Sequence, residues 1–552
     1  MKPKLLTTLP GYTSRQFAGD AVAGVTVAMV ALPLSIAIAI ASGAAPAAGL
    51  VTAVVGGFLI SALGGSRVQI GGPTGAFIVV VYGVIAKHGF DGLLLATLMA
   101  GVILLAAGAL RAGRLIALIP EAVIEGFTLG IAIVIATSQI KDLFGLGGGA
   151  LPADFLAKLA ALWGARATFN PAALAIGVAT IVTIFAMRRW VPRIPGPVVA
   201  VALASAAVAL FALPVDSVGS RYGALPAGLP WPHLPPVSPG AMLDLLPSAL
   251  VIAFLAGVES LLSAVVADRM IGGAHRSNAE LLAQGAANIA APLFGGLPAT
   301  GAIARTATNV RAGARTPVAG VVHAATLLLI LWFAAPLARH IPLATLAALL
   351  MVVAYNMGEW AEIPDLLRLT RTDVAVWLVT LSLTVFADLT VAVGVGMVLA
   401  ALLFIHRVAE TTTVTAVTDE YVREGHVHIL QNKAIPPYVK IFRIHGPFLF
   451  GATDKLRLIV DHVDALPAIV ILRLRNMTAI DGTGLHAIEQ LADVLHDSGR
   501  TLLLCGARQQ PAHVMARSGF HRHVGAENMC AHVEDALARA RAIHSTTHAE
   551  VK

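Results

Sequence analysis

From residue 21 to residue 408 the chain alternates apolar runs with short turns, and this alternation leaves a lipid bilayer as the only solvent in which most of it can fold. Apolar segments lie at about 21–42, 46–64, 76–87, 91–111, 116–140, 171–190, 194–213, 243–267, 279–294, 301–311, 315–338, 342–358, 372–387 and 389–408. Only 12% of the residues are charged, about half the share in a typical soluble domain, and mean hydropathy is +0.81. From Thr411 onward, charge and histidine return, and no apolar run reaches the ~20 residues that a spanning helix needs. The expectation is an all-α polytopic membrane domain of about fourteen segments over 1–408. A linker and first strand region over 409–437 and a small α/β domain over 438–552 follow.

The net charge is +7, and its placement argues for membrane topology rather than for a nucleic-acid partner. With both termini inside, the ends and even-numbered turns carry Lys2, Lys4, Arg15, Arg67, Arg111, Arg114, Arg188, Arg189, Arg193, Arg269, Arg276, Arg311, Arg315, Arg368, Arg371 and Arg407. The opposite side carries Lys87, Lys141, Lys158, Arg166, Arg221 and Arg339. This asymmetry follows the positive-inside rule and puts the C-terminal domain in the cytoplasm, below a bacterial inner membrane. The N-terminal stretch has no small-residue cleavage site after a short apolar core, so it is not expected to be a cleaved signal. Cys505 and Cys530 both fall in the tail, without metal-ligand spacing.

Two segments, 76–87 and 301–311, are too short to cross a ~30 Å hydrocarbon core. Each follows a Gly/Pro break: Gly71-Gly72-Pro73-Thr74-Gly75-Ala76, and Gly295-Gly296-Leu297-Pro298-Ala299-Thr300-Gly301-Ala302. Either motif alone reads as an ordinary tight turn between full helices. The matched pair, about half a membrane domain apart, is the pattern of an inverted-repeat transporter with broken helices. Two facing helix starts offer unpaired N–H groups and two positive dipole ends to an anion. Pro73 and Pro298 sit near the two expected helix starts, where a missing N–H is harmless. Gly75 and Gly301 let a ligand approach the backbone, and Thr74 and Thr300 add hydroxyl donors. Phe77 either walls the site or simply packs. Ala76, Ala302 and Ile303 complete the two helix starts.

An ionisable group inside a membrane is a functional candidate by default. Glu259 lies mid-segment in the run Leu255 to Ser263, with Ser263 four residues on and on the same helix face. A buried carboxylate prefers its protonated form, so Glu259 carries a proton with the substrate or ligates a cation with Ser263. Arg305, one turn into the second short helix, sets a positive field behind the site or pairs with an acid. Glu121 and Glu125 suit a helix N-terminus, Asp388 a turn cap, and His323 a structural place. Gln69, Gln139, Gln284 and Asn288 are candidates for a polar cavity lining.

The tail reads as strand Val439–Ile444, helix Thr453–Ala465, strand Ala468–Leu474, helix Gly484–Ser498, strand Thr501–Cys505 and helix Gln510–Ser518. The turn Asp481-Gly482-Thr483-Gly484 opens a helix whose start binds or accepts a phosphate, or is simply capped. No zinc spacing, P-loop or nucleophile–base arrangement is present, so neither an enzyme nor a bound cofactor is expected.

At these residues the chain resembles the SulP sulfate-permease family, bacterial relatives of the solute carrier 26 anion transporters. The resemblance rests on Ala31-Leu32-Pro33-Leu34-Ser35, on Gly64 to Ala76 and on Gly295 to Thr306. The tail resembles the STAS domain, with Thr483 at the position of that domain's phosphorylatable Ser and Gly482 replacing the Ser before it. The resemblance implies a 7+7 inverted repeat with core and gate, substrate between the third and tenth helices, elevator-like alternating access and a homodimer. Family substrates include sulfate, bicarbonate, chloride and dicarboxylates. In sodium-coupled bicarbonate members an acid and a hydroxyl residue of the eighth helix pair with a Thr early in the tenth. Glu259 and Ser263 match the first two, but Ile303 stands at the third. The expectation is proton-coupled transport of sulfate or a small dicarboxylate such as fumarate, with Na+ the lesser candidate for co-transport. A sodium-coupled bicarbonate transporter or an anion channel of the same fold, and a membrane-anchored sensor working through a partner of the tail, are the rivals.

Overall fold

The computed structural model describes residues 2–113, 120–191, 194–358, 360, 362–368, 370–387, 389–416 and 435–549. Arg114, Arg193 and Asp388 lie outside them.

Each apolar segment is helical within the described residues. In chain order they are α1 (Ser14–Ala41), α2 (Pro46–Leu63), α3 (75–88), α4 (90–109), α5 (Glu121–Leu143), α6 (Pro171–Trp190) and α7 (Gly196–Phe211). The second half holds α8 (Pro239–Ile271), α9 (Ser277–Leu293), α10 (Ile303–Arg311), α11 (Val318–Phe333), α12 (Leu343–Met357), α13 (Arg371–Phe386) and α14 (Leu389–Thr411). Local chemistry sets their starts. Thr13 and Gln16 form a capping box for α1. Asn170 caps α6 ahead of Pro171, and Ser238 caps α8 ahead of Pro239. α3 and α4 are divided at Gly89, whose φ of 71° and ψ of −179° fit no helix and few residues other than glycine.

The helices sort into two bundles. α1 to α4 pack with α8 to α11, whereas α5 to α7 pack with one another and with α12 and α13. At one end of the membrane part the N-terminal segment and the even turns meet. Lys4 N donates to Gly64 O at 2.9 Å, Arg276 N to Gly65 O at 3.0 Å, and Arg276 Nη1 to Lys2 O at 2.7 Å. At the other end Arg221 bridges Asp142 at 2.6 Å and Asp216 at 2.7 Å, and Val218 N donates to Ile341 O. Even and odd turns therefore gather at opposite ends, as an alternating series of spans requires.

Two two-residue strands, β1 (Gly71–Gly72) and β2 (Thr300–Gly301), pair antiparallel, with Gly71 opposite Gly301 and Gly72 opposite Thr300. They satisfy backbone groups that hydrocarbon could not.

The chain forms two compact units, Met1–Val398 and Leu399–Lys552, with the boundary inside α14. The second unit holds a sheet ordered β3 (Thr413–Ala416), β4 (Val439–Phe448), β5 (Ile469–Ile480), β6 (Thr501–Cys505) and β7 (Met529–Cys530). β3 pairs antiparallel and the others pair parallel. Helices α15 (Gly482–Asp497), α16 (Gln509–Ser518) and α17 (Val533–Ala549) accompany it. The helix expected over Thr453–Ala465 is instead a 3-10 turn at Phe450–Leu456, one turn of α-helix at Arg457–Val460 and another 3-10 turn at Val463–Ala465. Asp461 and Asp464 put negative charge where a helix C-terminus disfavours it.

Candidate functional site

α3 and α10 begin on either side of the β1–β2 pair, so their first-turn amides, which lack acceptors in their own helices, converge on one region. There a cavity of about 310 Å³ opens. Pro73, Thr74, Gly75 and Ala76 line it from α3, and Ala302, Ile303 and Arg305 from α10. Glu259 enters from α8.

Thr74 Oγ1 donates to Glu259 Oε2 at 2.9 Å, tying the acid to the start of α3. Arg305 is 2% exposed. Its Nη2 donates to Pro73 O at 3.0 Å and to Ser35 Oγ at 3.3 Å, while Nε and Nη1 have no partner among the described residues. No ion pair joins Arg305 to a carboxylate among the described residues.

Several expected contacts are arranged differently. Phe77 is 2% exposed and packs into the helix core rather than walling the cavity. Thr300 and Gly301 stand behind the lining, in β2. Thr300 Oγ1 lies 2.8 Å from Ser260 Oγ and donates to Ala256 O, so its hydroxyl is already used. Ser263 turns to Thr306 Oγ1 at 3.1 Å, away from Glu259, because at that point α8 packs on α10. Gln69 donates to Ser260 O, Gln284 to Glu280 Oε1, and Asn288 to Ala299 O, so these three amides brace loops instead of lining the cavity. His323 is fully buried in α11, apart from the cavity lining.

The sequence reading did not pick out the opposing wall, which Val123, Ile124, Phe127 and Thr128 of α5 and Val353, Asn356 and Met357 of α12 supply. Asn356, a polar residue near the end of an apolar helix, was the one signal available. The cavity thus lies between the two helix bundles, charged and amide-rich on one wall and mostly apolar on the other.

A model of the sulfate permease family matches residues 17–380, and a STAS domain model matches residues 431–536. The chain belongs to the sulfate permease family. A Bacillus subtilis protein titled "Putative sulfate transporter YvdB" is 39% identical, covering 95% of this chain and 98% of its own. The "Bicarbonate transporter BicA" of a Picosynechococcus strain is 29% identical over 95% of both chains. The solved overall structure of SLC26A9 superposes with a TM-score of 0.87 at 18% identity, covering 98% of this chain and 93% of that one. The transmembrane domain of a cyanobacterial BicA superposes at 0.62 with 33% identity, covering 69% and 99%. This sulfate permease relative is therefore a polytopic anion transporter with a C-terminal STAS domain, not an enzyme.

In its STAS domain, Asp481 caps α15, accepting from Gly484 N at 2.8 Å and from Phe450 N at 3.1 Å. The carboxylate is committed to that turn. Thr483 is exposed one residue into α15.

Proposed function

We propose that the chain is a secondary active transporter that carries sulfate or a small dicarboxylate across a bacterial inner membrane together with a proton on Glu259. The observation that carries this reading is the cavity at the β1–β2 pair, where two helix starts and a buried guanidinium face one carboxylate. With Glu259 ionised, the carboxylate opposes an incoming anion. With Glu259 protonated, the amide ends of α3 and α10 and the Arg305 charge act on the anion without that opposition. Proton and anion therefore favour each other's binding, as linkage requires. The turn of Ser263 toward Thr306, and Ile303 at the head of α10, support a proton over a sodium ion.

A cavity between two bundles suits alternating access by movement of the α1–α4 and α8–α11 body against α5–α7 and α12–α14. The distribution of Arg and Lys between the turns supports cytoplasmic termini. A homodimer is part of the same reading. In proteoliposomes, a gradient acidic on the anion side is expected to drive uptake of labelled sulfate or fumarate. Glu259→Gln is expected to abolish the pH dependence while leaving exchange of anion for anion. Unchanged pH-driven uptake in that variant removes Glu259 from the mechanism. Relatives named bicarbonate transporters support bicarbonate as a second substrate reading, decided by the same assay with labelled bicarbonate.

A further inference from the structure

A second cavity of about 430 Å³ lies farther along the cleft between the two bundles, at the end where the odd-numbered turns gather. It shares two walls with the first. On α3, residues 73–76 line the first cavity while Ile78, Val79, Tyr82 and Lys87 line the second. On α5, Val123 to Thr128 line the first, and Val134 and Ser138 the second. A helix rises 1.5 Å per residue, so Ser138 stands about 15 Å beyond Thr128. Between the cavities on α3 sits buried Phe77.

The second cavity holds a buried cation. Lys158, on the short helix Phe155–Gly164, is 5% exposed. Its Nζ donates to Ser138 Oγ at 2.9 Å and lies 5.8 Å from the centre of the Tyr82 ring. Ser138 Oγ donates its own hydrogen bond to Val134 O at 2.8 Å, so it accepts from the ammonium without being a counter-charge. No carboxylate lies within ion-pair distance of Lys158 among the described residues. The acid lining the same cavity, Asp154, is engaged as the cap of the short helix, accepting from Ala157 N at 2.8 Å. Lys87 and His88 add further positive or protonatable groups.

The placement of Lys158 is enforced. Tyr82 OH donates to Leu151 O, holding the loop before the short helix against α3. Phe155 meets Phe386 of α13 edge-on at 5.5 Å. A buried ammonium whose one direct acceptor is a neutral hydroxyl is costly; the charge of Asp154, beyond ion-pair distance, offsets that cost in part, and a visiting anion would offset it further.

We propose that this cavity is an anion-binding antechamber. In it Lys158 receives a small oxyanion or carboxylate on its way between solvent and the site at the β1–β2 pair. The proposal rests on the transport reading above but names a separate site. The end where the odd-numbered turns gather is the outer one if the termini are cytoplasmic.

The test is flux of labelled sulfate and fumarate in proteoliposomes, presented to one membrane face at a time, for the wild-type chain, Lys158→Gln and Lys158→Arg. Lys158→Gln is expected to raise the half-saturating concentration about tenfold from the face bearing the Phe155–Gly164 helix, several times more than from the other face. Lys158→Arg, which keeps the charge, is expected to stay near wild type. An unchanged value from that face overturns the proposal, as does an equal rise from both faces. If the wild-type chain carries neither anion, the transport reading fails by itself, and calorimetric titration with sodium sulfate decides the site. There, loss of one binding event in Lys158→Gln supports the antechamber, and identical isotherms sink it.

Discussion

Arg305 and Thr74 do different jobs at one cavity. Thr74 touches Glu259, whereas Arg305 is held back by Pro73 O and Ser35, and under the proposed function it acts through its field. A unit charge ~8 Å from an anion contributes about 2 kcal/mol at an effective dielectric of 20. Arg305→Met is therefore expected to raise the half-saturating anion concentration roughly thirtyfold, measured by initial uptake rates; a change under twofold would make the guanidinium a packing group. In the tail, Asp481→Ala removes the carboxylate that accepts from two backbone N–H groups at the start of α15 and is expected to lower STAS stability by about 1–2 kcal/mol. Thermal melting of the full chain reads this, with Thr483→Ala at the neighbouring exposed position as the neutral comparison. Residues of the charged wall were legible because an ionisable side chain or a Gly/Pro break in an apolar segment demands a reason. Phe127 and Val353 were not, because an apolar side chain facing a cavity has the same sequence signature as one facing a neighbour. Asp20 and Glu280 escaped notice for another reason. Each is a fully buried acid whose partners come from distant turns: Thr316 and the amide of Arg315 for Asp20, and the amides of Gly65 and Ser66 for Glu280.

Among the elements, the two short helices were legible from length alone, since neither could span the bilayer. Their meeting through a strand pair was not, because two residues make no periodic pattern. At Gly301 that pair is crowded by its neighbours. A Cβ there would lie 1.7 Å from Gln69 Nε2 and 3.2 Å from the Ser260 Cα. Gln69 would have to leave Ser260 O, and the backbone of α8 at Ser260 would press on β2. Gly301→Ala is thus expected to cut uptake at least tenfold, on the scale of a misplaced site, while the protein still elutes as one species in size-exclusion chromatography. Full uptake in that variant would show that the pairing is dispensable. The broken Thr453–Ala465 segment shows the opposite limit. Its buried Ala452, Leu456 and Ile459 carry a helical spacing, yet charge near the end and short length let tertiary packing choose separate turns.

For the whole molecule, the sorting of turns into two ends is structural, while the direction across the membrane rests on charge. The chain has two cysteines, both in the tail. Burial pushes the Cys505 thiol up to about 12, and a smaller upward shift, also from burial, acts on the partly exposed Cys530. A raised pKa keeps the thiol protonated until higher pH, so labelling of Cys530 is expected to increase with pH while Cys505 stays unreactive. An impermeant maleimide should reach Cys530 after cells are permeabilised and not before; labelling of intact cells would reverse the proposed orientation. The β1–β2 pair also bears on how the chain is made. Gly71 and Gly72 emerge from the ribosome more than two hundred residues ahead of Thr300 and Gly301. During that interval their amides and carbonyls lie at bilayer depth without a permanent acceptor, so the first half must wait in a polar shelter, such as an insertion machine or a water-filled cleft. The β1–β2 pair therefore cannot close until the second half has been made as far as Gly301, however quickly the earlier spans enter the lipid.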